Sequence, residues 1–274
     1  DLVRSRGLGD VYKRQMLSGM LIETGLYGLV RVFFVVFMPN TALLPNGSET
    51  FRYVFAVFAI LTMTIGNIMA LLQKDIKRLL AYSSIAQIGY MLIGVASGTT
   101  YGLLGCFLHI FNHSLMKGLA FLASGALAER VESRNLDEMK GFGRVMPMTS
   151  MALTISLLGL GGVPATAGFV SKFILFGSAL APSVNMWWLT IMGVLNSAFS
   201  TAYYLPIIKT LITKPTGSSP QLKEAPIPML IPMCTMAVLI VVFGVYPQPI
   251  LQLADGASRA LIEGLPRYIA KILL

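Results

Sequence analysis

Residues 148–182 read MTSMALTISLLGLGGVPATAGFVSKFILFGSALAP, an apolar run with one charged residue, Lys172. About 20 apolar residues carry a helix across the hydrocarbon layer of a membrane, so this run is too long for one straight crossing. The glycines and Pro164 in its middle interrupt a helix, because proline lacks a backbone donor. The run therefore predicts a discontinuous membrane helix that breaks at Gly162, Pro164 and Gly168 and is buried among other helices. A tight turn between two helices is the alternative.

Further apolar runs of crossing length lie on either side of this one. They cover residues 16–38, 53–72, 79–98, 102–127, 184–208 and 227–246. None shows the alternating ten-residue segments that are typical of a membrane β-barrel. The sequence thus predicts an all-α protein whose residues 16–246 form a polytopic transmembrane helix bundle.

The composition agrees with a membrane protein and excludes several other classes. Hydrophobic residues make up 55% of the chain and charged residues 12%, about half of the charged share of a soluble domain. The net charge is +9, but the basic residues lie mostly in short loops and form no patch interleaved with aromatic residues. Nucleic acid is therefore not an expected partner. With two cysteines in apolar runs and no CxxC, Walker or GxGxxG motif, the chain is expected to bind no metal and no cofactor.

The two ends of the chain differ from the middle. Residues 1–15 are polar and without periodicity, and we interpret them as a non-native leader. Residues 247–274 mix polar and apolar side chains, which predicts an interfacial amphipathic segment with a break near Pro266.

Basic residues between the apolar runs predict the orientation in the membrane. They are Lys74, Lys77 and Arg78 in one loop, and Arg130, Arg134, Lys140 and Arg144 in a loop two crossings later. Two crossings return the chain to the same side, so both loops are expected together. The positive-inside rule makes that side cytoplasmic.

The run 102–127 contains three ionisable side chains at a spacing of four residues. His109, His113 and Lys117 therefore lie on one face of a helix, turn upon turn. The two histidines have the spacing of a metal pair, but no carboxylate or cysteine nearby completes the set, and Lys117 repels a cation. A purely structural polar stripe is the other alternative. Proton transfer is favoured, because histidine titrates near neutral pH and a desolvated lysine can do the same.

Two further ionisable groups lie inside apolar runs, where a charge is costly. Lys172 follows the predicted break, where freed carbonyls and water can bind it, which suits a relay; snorkelling to the interface is the alternative. Glu23 lies inside the first run, eight residues before Arg31. It pairs with Arg31 or another buried base, stores a proton, or biases the charge of a lysine.

Hydroxyl and amide side chains accompany these ionisable groups. We assign a supporting role to Asn112, Ser171, Tyr82 and Ser83, which can hold water, although such side chains most often bond to nearby backbone.

Three segments resemble one known family. QKDIKRLLAYSSIAQIGYMLIG (73–94), HIFNHSLMKGLAFLASG (109–125) and GRVMPMTSMALTISLLGLGGVPATAGFVSKF (143–173) are similar to the antiporter-like proton-channel subunits of respiratory complex I, Mrp antiporters and membrane-bound hydrogenases. The resemblance covers residues 16 to about 248. It implies two inverted repeats of which this chain corresponds to the second, so we expect a fragment truncated before Met16.

The resemblance also implies roles for single residues. Lys117 and the histidines match the family's relay in one helix, and Lys172 matches the lysine of the broken helix. Glu23 departs from the pattern, because many relatives have lysine there.

The expected function is therefore proton or cation translocation along the buried Lys/His/Glu relay. The chain is expected to be a multi-pass subunit in the cell inner membrane, in contact with the lipid bilayer and with other membrane subunits of an NADH:quinone oxidoreductase-like, Mrp or hydrogenase complex. Quinone and other redox cofactors are expected on those partner subunits. The alternatives are a stand-alone secondary transporter of an organic solute and a structural membrane scaffold.

Overall fold

The computed structural model describes residues 21–37, 47–213 and 224–273, and the regular elements in these ranges are helices. They are α1 (Ile22–Val32), α2 (Gly47–Leu71), α3 (Ile76–Ser97), α4 (Thr100–Val131), α5 (Phe142–Val145), α6 (Pro147–Gly161), α7 (Ala167–Ser178), α8 (Trp187–Ile212), α9 (Ile227–Val245) and α10 (Gln248–Leu273). A π-helical turn, Phe33–Phe37, continues α1, and a 3-10 turn, Leu136–Met139, precedes α5. The predicted all-α bundle is confirmed. The predicted leader, residues 1–15, lies outside the described residues.

Four helices of the described part are long and apolar enough to cross a membrane. These spans are Glu49–Leu71, Ile76–Ser97, Trp187–Ile212 and Ile227–Val245. They match four of the predicted runs to within about five residues. The run 102–127 falls in α4, whose 32 residues extend for about 48 Å and carry the polar face.

Local sequence explains where α3 and α4 begin and end. The Asp75 carboxylate accepts from the backbone N–H groups of Lys77 and Arg78 and so caps the start of α3. Gly98 ends α3 at φ +66, a left-handed conformation that glycine adopts without strain. Thr99 then caps α4 by accepting from Gly102 N at 3.0 Å.

The two basic loops lie together, as predicted. Asp75 and Asn135 form an isolated antiparallel bridge, and the backbone N–H of Ile76 donates to Arg134 O at 3.0 Å. The N–H of Leu136 donates back to Lys74 O at 3.0 Å. Both loops therefore lie at the same end of the bundle.

The helices α6 and α7 lie along successive parts of α4. Ser156 of α6 donates to Met116 O at 2.7 Å, whereas Ser171 of α7 bonds to His109, two turns earlier in α4. The core contacts follow the same order, since α6 shares one hydrophobic cluster with the later half of α4 and α7 shares another with its earlier half. The chain thus continues in one direction through the break. The predicted discontinuous helix is confirmed, and the tight-turn alternative is wrong.

The C-terminal helix differs from the prediction. The helix α10 is continuous from Gln248 to Leu273, so the expected break near Pro266 is wrong. An internal proline removes one helical hydrogen bond, and here the helix continues through it. Ala254 packs against Leu108 of α4, while Arg259 on the outer side is 61% exposed. An interfacial location remains a prediction.

Candidate functional site

The break between α6 and α7 leaves the Leu160 carbonyl without a helical partner inside the bundle. In an unbroken helix Leu160 O would accept from the N–H of residue 164, but Pro164 has no N–H and α6 ends at Gly161. Gly162 turns the chain at φ +80. The Leu160 carbonyl instead accepts from two side chains, Lys172 Nζ at 2.6 Å and Gln87 Nε2 at 3.1 Å.

Gly168 allows the two halves of the broken helix to meet closely. A Cβ atom at this position would lie 1.9 Å from Gly159 O, so any side chain would force the two segments apart. The predicted break residues Gly162, Pro164 and Gly168 therefore have separate physical reasons: a left-handed turn, a missing donor and a close approach.

His109 connects the break to the polar face of α4. Its Nδ1 lies 2.8 Å from Ser171 Oγ, and its Nε2 lies 3.0 Å from Gln87 Oε1. Gln87 thus bridges His109 to the same carbonyl that binds Lys172. Four helices contribute to this junction: α3, α4, α6 and α7.

His113 extends the same line toward α1. Its ring stacks on that of His109 with centroids 6.2 Å apart, and its Nδ1 forms a short hydrogen bond with Glu23. The other carboxylate oxygen of Glu23 accepts from Ser114 Oγ. Glu23 therefore pairs with His113. The partner is thus another buried base, one of the two predicted possibilities, and not Arg31, which is exposed.

Lys117 lies one turn beyond His113 and bonds to α3. Its Nζ donates to Leu80 O at 2.8 Å and to the Ser83 hydroxyl. The Leu80 carbonyl also accepts from the Ser83 and Ser84 hydroxyl groups. Lys117 thus shares the face of the histidines, while its amine is held by a neighbouring helix.

All five ionisable side chains are removed from the surface of the bundle. Glu23 is 4% exposed, Lys172 is 3% exposed, and His109, His113 and Lys117 have no exposed surface. The snorkelling alternative for Lys172 is wrong, since its amine donates inward to Leu160 O and to Ser197 Oγ at 3.0 Å. We call Glu23, His113, His109, Lys172 and Lys117, with Gln87 and Ser171 between them, the polar row.

Three of the four predicted supporting residues bond to this row or to the backbone of a helix beside it. Ser171 and Ser83 bond to His109 and Lys117, and Asn112 Nδ2 donates to Ala167 O at 2.8 Å at the start of α7. Tyr82 instead is half-buried and packs at the edge of the hydrophobic core, so its supporting role stays a prediction.

Sequence reasoning underrated one residue of the row, Gln87. The spacing of Ser83, Gln87 and Tyr90 places them on one face of α3, and all three are buried. Tyr82 precedes Ser83 by one residue and points about 100° away. The periodicity of α3 could therefore have identified Gln87 in preference to Tyr82.

Buried polar atoms beside the row lack a protein partner within the described ranges. They are His113 Nε2, Asn112 Oδ1 and the Tyr204 hydroxyl. Buried groups of this kind usually bind water, which also passes protons. In the same ranges no three His, Cys, Asp or Glu side chains lie close enough together to bind a metal ion.

Comparison with known proteins places this chain in one family. The family model described as "NADH:quinone oxidoreductase/Mrp antiporter, TM" matches residues 13–200. F(420)H(2) dehydrogenase subunit N of Methanosarcina mazei is 33% identical over 244 residues, which cover 86% of this chain and 48% of the relative. NADH-quinone oxidoreductase subunit N of Geotalea uraniireducens is 35% identical over 238 residues, covering 87% and 50%.

A solved structure agrees with these relatives. A chain of the membrane-bound sulfane sulfur reductase, an archaeal respiratory membrane complex, superimposes with a TM-score of 0.81 at 28% identity, over 93% of this chain and 50% of that one. The chain thus spans about half the length of the relatives it matches. With a discontinuous helix, a buried polar row and a family match over most of its length, the chain belongs to the NADH:quinone oxidoreductase/Mrp antiporter transmembrane family.

Proposed function

We propose that the protein containing this chain translocates protons, or another monovalent cation, across a membrane. The observation that carries the proposal is the junction at the Leu160 carbonyl. There Lys172 of the broken helix and Gln87, which is bonded to His109, meet at one acceptor inside the bundle. Glu23 and His113 continue the line on one side, and Lys117 lies beyond them.

The geometry supports stepwise transfer because neighbouring groups are close enough to affect each other's charge. The rings of His109 and His113 are 6.2 Å apart. At an effective dielectric constant of about 20, two unit charges at that distance repel by about 3 kcal/mol, a factor of roughly 100 in equilibrium. A proton that arrives at one site therefore favours release from the next.

In this scheme each residue has a distinct part. Lys117, His109, His113, Lys172 and Glu23 exchange the proton. Gln87 and Ser171 bind both ring nitrogens of His109 and so hold the ring next to the break. Water at the unpartnered atoms His113 Nε2 and Asn112 Oδ1 would complete the contacts that side chains do not make.

The relatives support a role inside a larger complex. Their names describe subunits of dehydrogenase and oxidoreductase complexes, and the matching structure belongs to a respiratory membrane complex. We infer that other membrane subunits contact this chain, that redox cofactors reside on those partners, and that the bacterial inner membrane, or its archaeal counterpart, is the location. Apolar side chains on the outer faces of α2 and α9, such as Phe58 and Val238, would contact lipid.

The organic-solute alternative receives no support. The matching family and relatives are membrane subunits of oxidoreductases and antiporters.

The test is proton transport by the full-length protein in its membrane complex, measured as quenching of a pH-sensitive dye in sealed vesicles. Lys172→Ala is expected to lower the initial rate at least tenfold, since it removes the proton-binding group at the junction. Lys209→Ala, which removes an exposed lysine of α8, is the matched control and is expected to transport normally. Equal rates for the two variants would refute the relay.

A further inference from the structure

A second buried polar cluster lies next to the row and contains none of its ionisable residues. Asn67 of α2 is fully buried, and its Oδ1 accepts from the Tyr203 hydroxyl at 2.8 Å. Its Nδ2 donates to the Tyr90 hydroxyl at 3.1 Å and to Asn196 O at 3.0 Å. Asn67 thereby joins α2 to α3 and α8, and we call these four residues the Asn67 cluster.

The Tyr90 side chain is held at both ends. Its hydroxyl is bonded to Asn67, and its ring edge meets Phe176 of α7, with centroids 5.9 Å apart and planes at 79°. Tyr90 has no exposed surface. Such a ring cannot change its direction without breaking these contacts.

The face of this fixed ring is directed at the lysine of the broken helix. Lys172 Nζ lies 4.7 Å from the centroid of the Tyr90 ring. The negative face of an aromatic ring attracts an ammonium group and has little attraction for a neutral amine, and the attraction is greatest away from water. The ring therefore acts on one of the two states that a proton relay requires.

We propose that Tyr90 is a positioning residue for Lys172, which it holds in its protonated state beside the Leu160 carbonyl while the Asn67 cluster holds Tyr90. This inference rests on the proposed function and assigns a role to residues that the row does not include. The cluster explains why Asn67, Asn196 and Tyr203 are buried at this level: they fix the ring and bond to no proton-carrying group of the row.

Other groups also face Lys172 and have to stay constant in a test. Those that titrate are His109, His113 and Lys117 of α4. The helix α6 has no ionisable residue, and α8 contributes the Ser197 hydroxyl. A substitution at Tyr90 leaves all of these in place.

The experiment measures the pH dependence of proton transport by the full-length protein in its membrane complex, for two variants of one residue. Tyr90→Phe keeps the ring but removes the hydroxyl that binds Asn67, so the alkaline limb of its pH profile is expected to move down by less than that of Tyr90→Leu. Tyr90→Leu removes the ring, and the alkaline limb of its profile is expected to move down by about one pH unit, equivalent to about tenfold in the protonation equilibrium. Phe34→Leu removes a buried ring from the same hydrophobic cluster, away from Lys172, and controls for packing loss.

The outcomes separate this inference from the proposed function. If Lys172→Ala transports normally, the relay itself fails. If Lys172→Ala is inactive but the Tyr90→Leu profile coincides with that of Phe34→Leu, only the role of Tyr90 is overturned. Should the Tyr90→Leu complex not assemble, Asn67→Ser decides by the same readout: a smaller downward shift supports the inference, and an unchanged profile refutes it.

Discussion

Replacing Gln87 by methionine tests whether the row works as a connected unit. The side chain keeps its length and volume but loses both polar atoms of the bridge, Oε1 toward His109 at 3.0 Å and Nε2 toward Leu160 O at 3.1 Å. His109 Nε2 is then left without its partner in a buried position. The Leu160 carbonyl keeps only its bond from Lys172.

The expected size of the effect follows from these two bonds. A buried hydrogen bond contributes about 1 to 1.5 kcal/mol, so losing both costs about 2 to 3 kcal/mol. If the whole cost falls on the transfer step, transport slows by about 30- to 160-fold. If only part of this cost falls on the transfer step, the rate falls by a smaller factor, which is tenfold for each ~1.4 kcal/mol.

The assay compares initial rates of vesicle acidification for Gln87→Met and Gln73→Met, each in the full-length protein. Gln73 is a second glutamine, partly rather than fully buried, and its Nε2 donates to Met69 O in the preceding helix at 3.2 Å. We expect normal transport from Gln73→Met. Normal transport from Gln87→Met, with normal assembly of the complex, would show that the bridge is not needed and would remove the main connection between His109 and Lys172.

Two further predictions concern the two halves of the broken helix, α6 and α7, which support the row. Gly168→Ala is expected to lower transport and to lower the stability by about 1 to 3 kcal/mol, because its Cβ would lie 1.9 Å from Gly159 O. The control is Gly161→Ala, whose Cβ would have its nearest contact at 3.8 Å. Equal melting temperatures for the two variants would contradict the close approach. Glu224→Ala is expected to lower the stability by about 1 kcal/mol, because this carboxylate accepts from Met148 N at 2.9 Å and caps the start of α6. Thermal unfolding of the complex measures this loss, and transport per assembled complex should not change.

The parts of the fold that could be predicted depend on local physics. A spacing of four residues places His109, His113 and Lys117 on one helical face whatever surrounds the helix. Likewise, a proline without an N–H and glycines that permit unusual conformations interrupt a helix wherever they occur. The polar face of α4 and the break were therefore available from the sequence.

The partners of these groups were not available, because they depend on how the helices rotate and pack. Glu23 and His113 are 90 residues apart, and no local pattern connects them. Arg31 was the nearer candidate in the sequence, but α1 turns it outward. The Asn67 cluster was missed for the same reason, although asparagines within apolar helices, such as Asn67 and Asn196, are a recognisable signal of contacts between helices.

The break and the row are physically one feature. A buried carbonyl without a donor costs about 1 to 3 kcal/mol, so the interruption at Pro164 is tolerated only if other groups bind Leu160 O. Lys172 and Gln87 are those groups, and a lysine amine buried inside a helix bundle needs such an acceptor equally. The helix break thus accounts for the position of the lysine, and the lysine in turn stabilises the break. This mutual dependence places Lys172 at the junction of four helices, where a change in its charge affects His109 through Gln87.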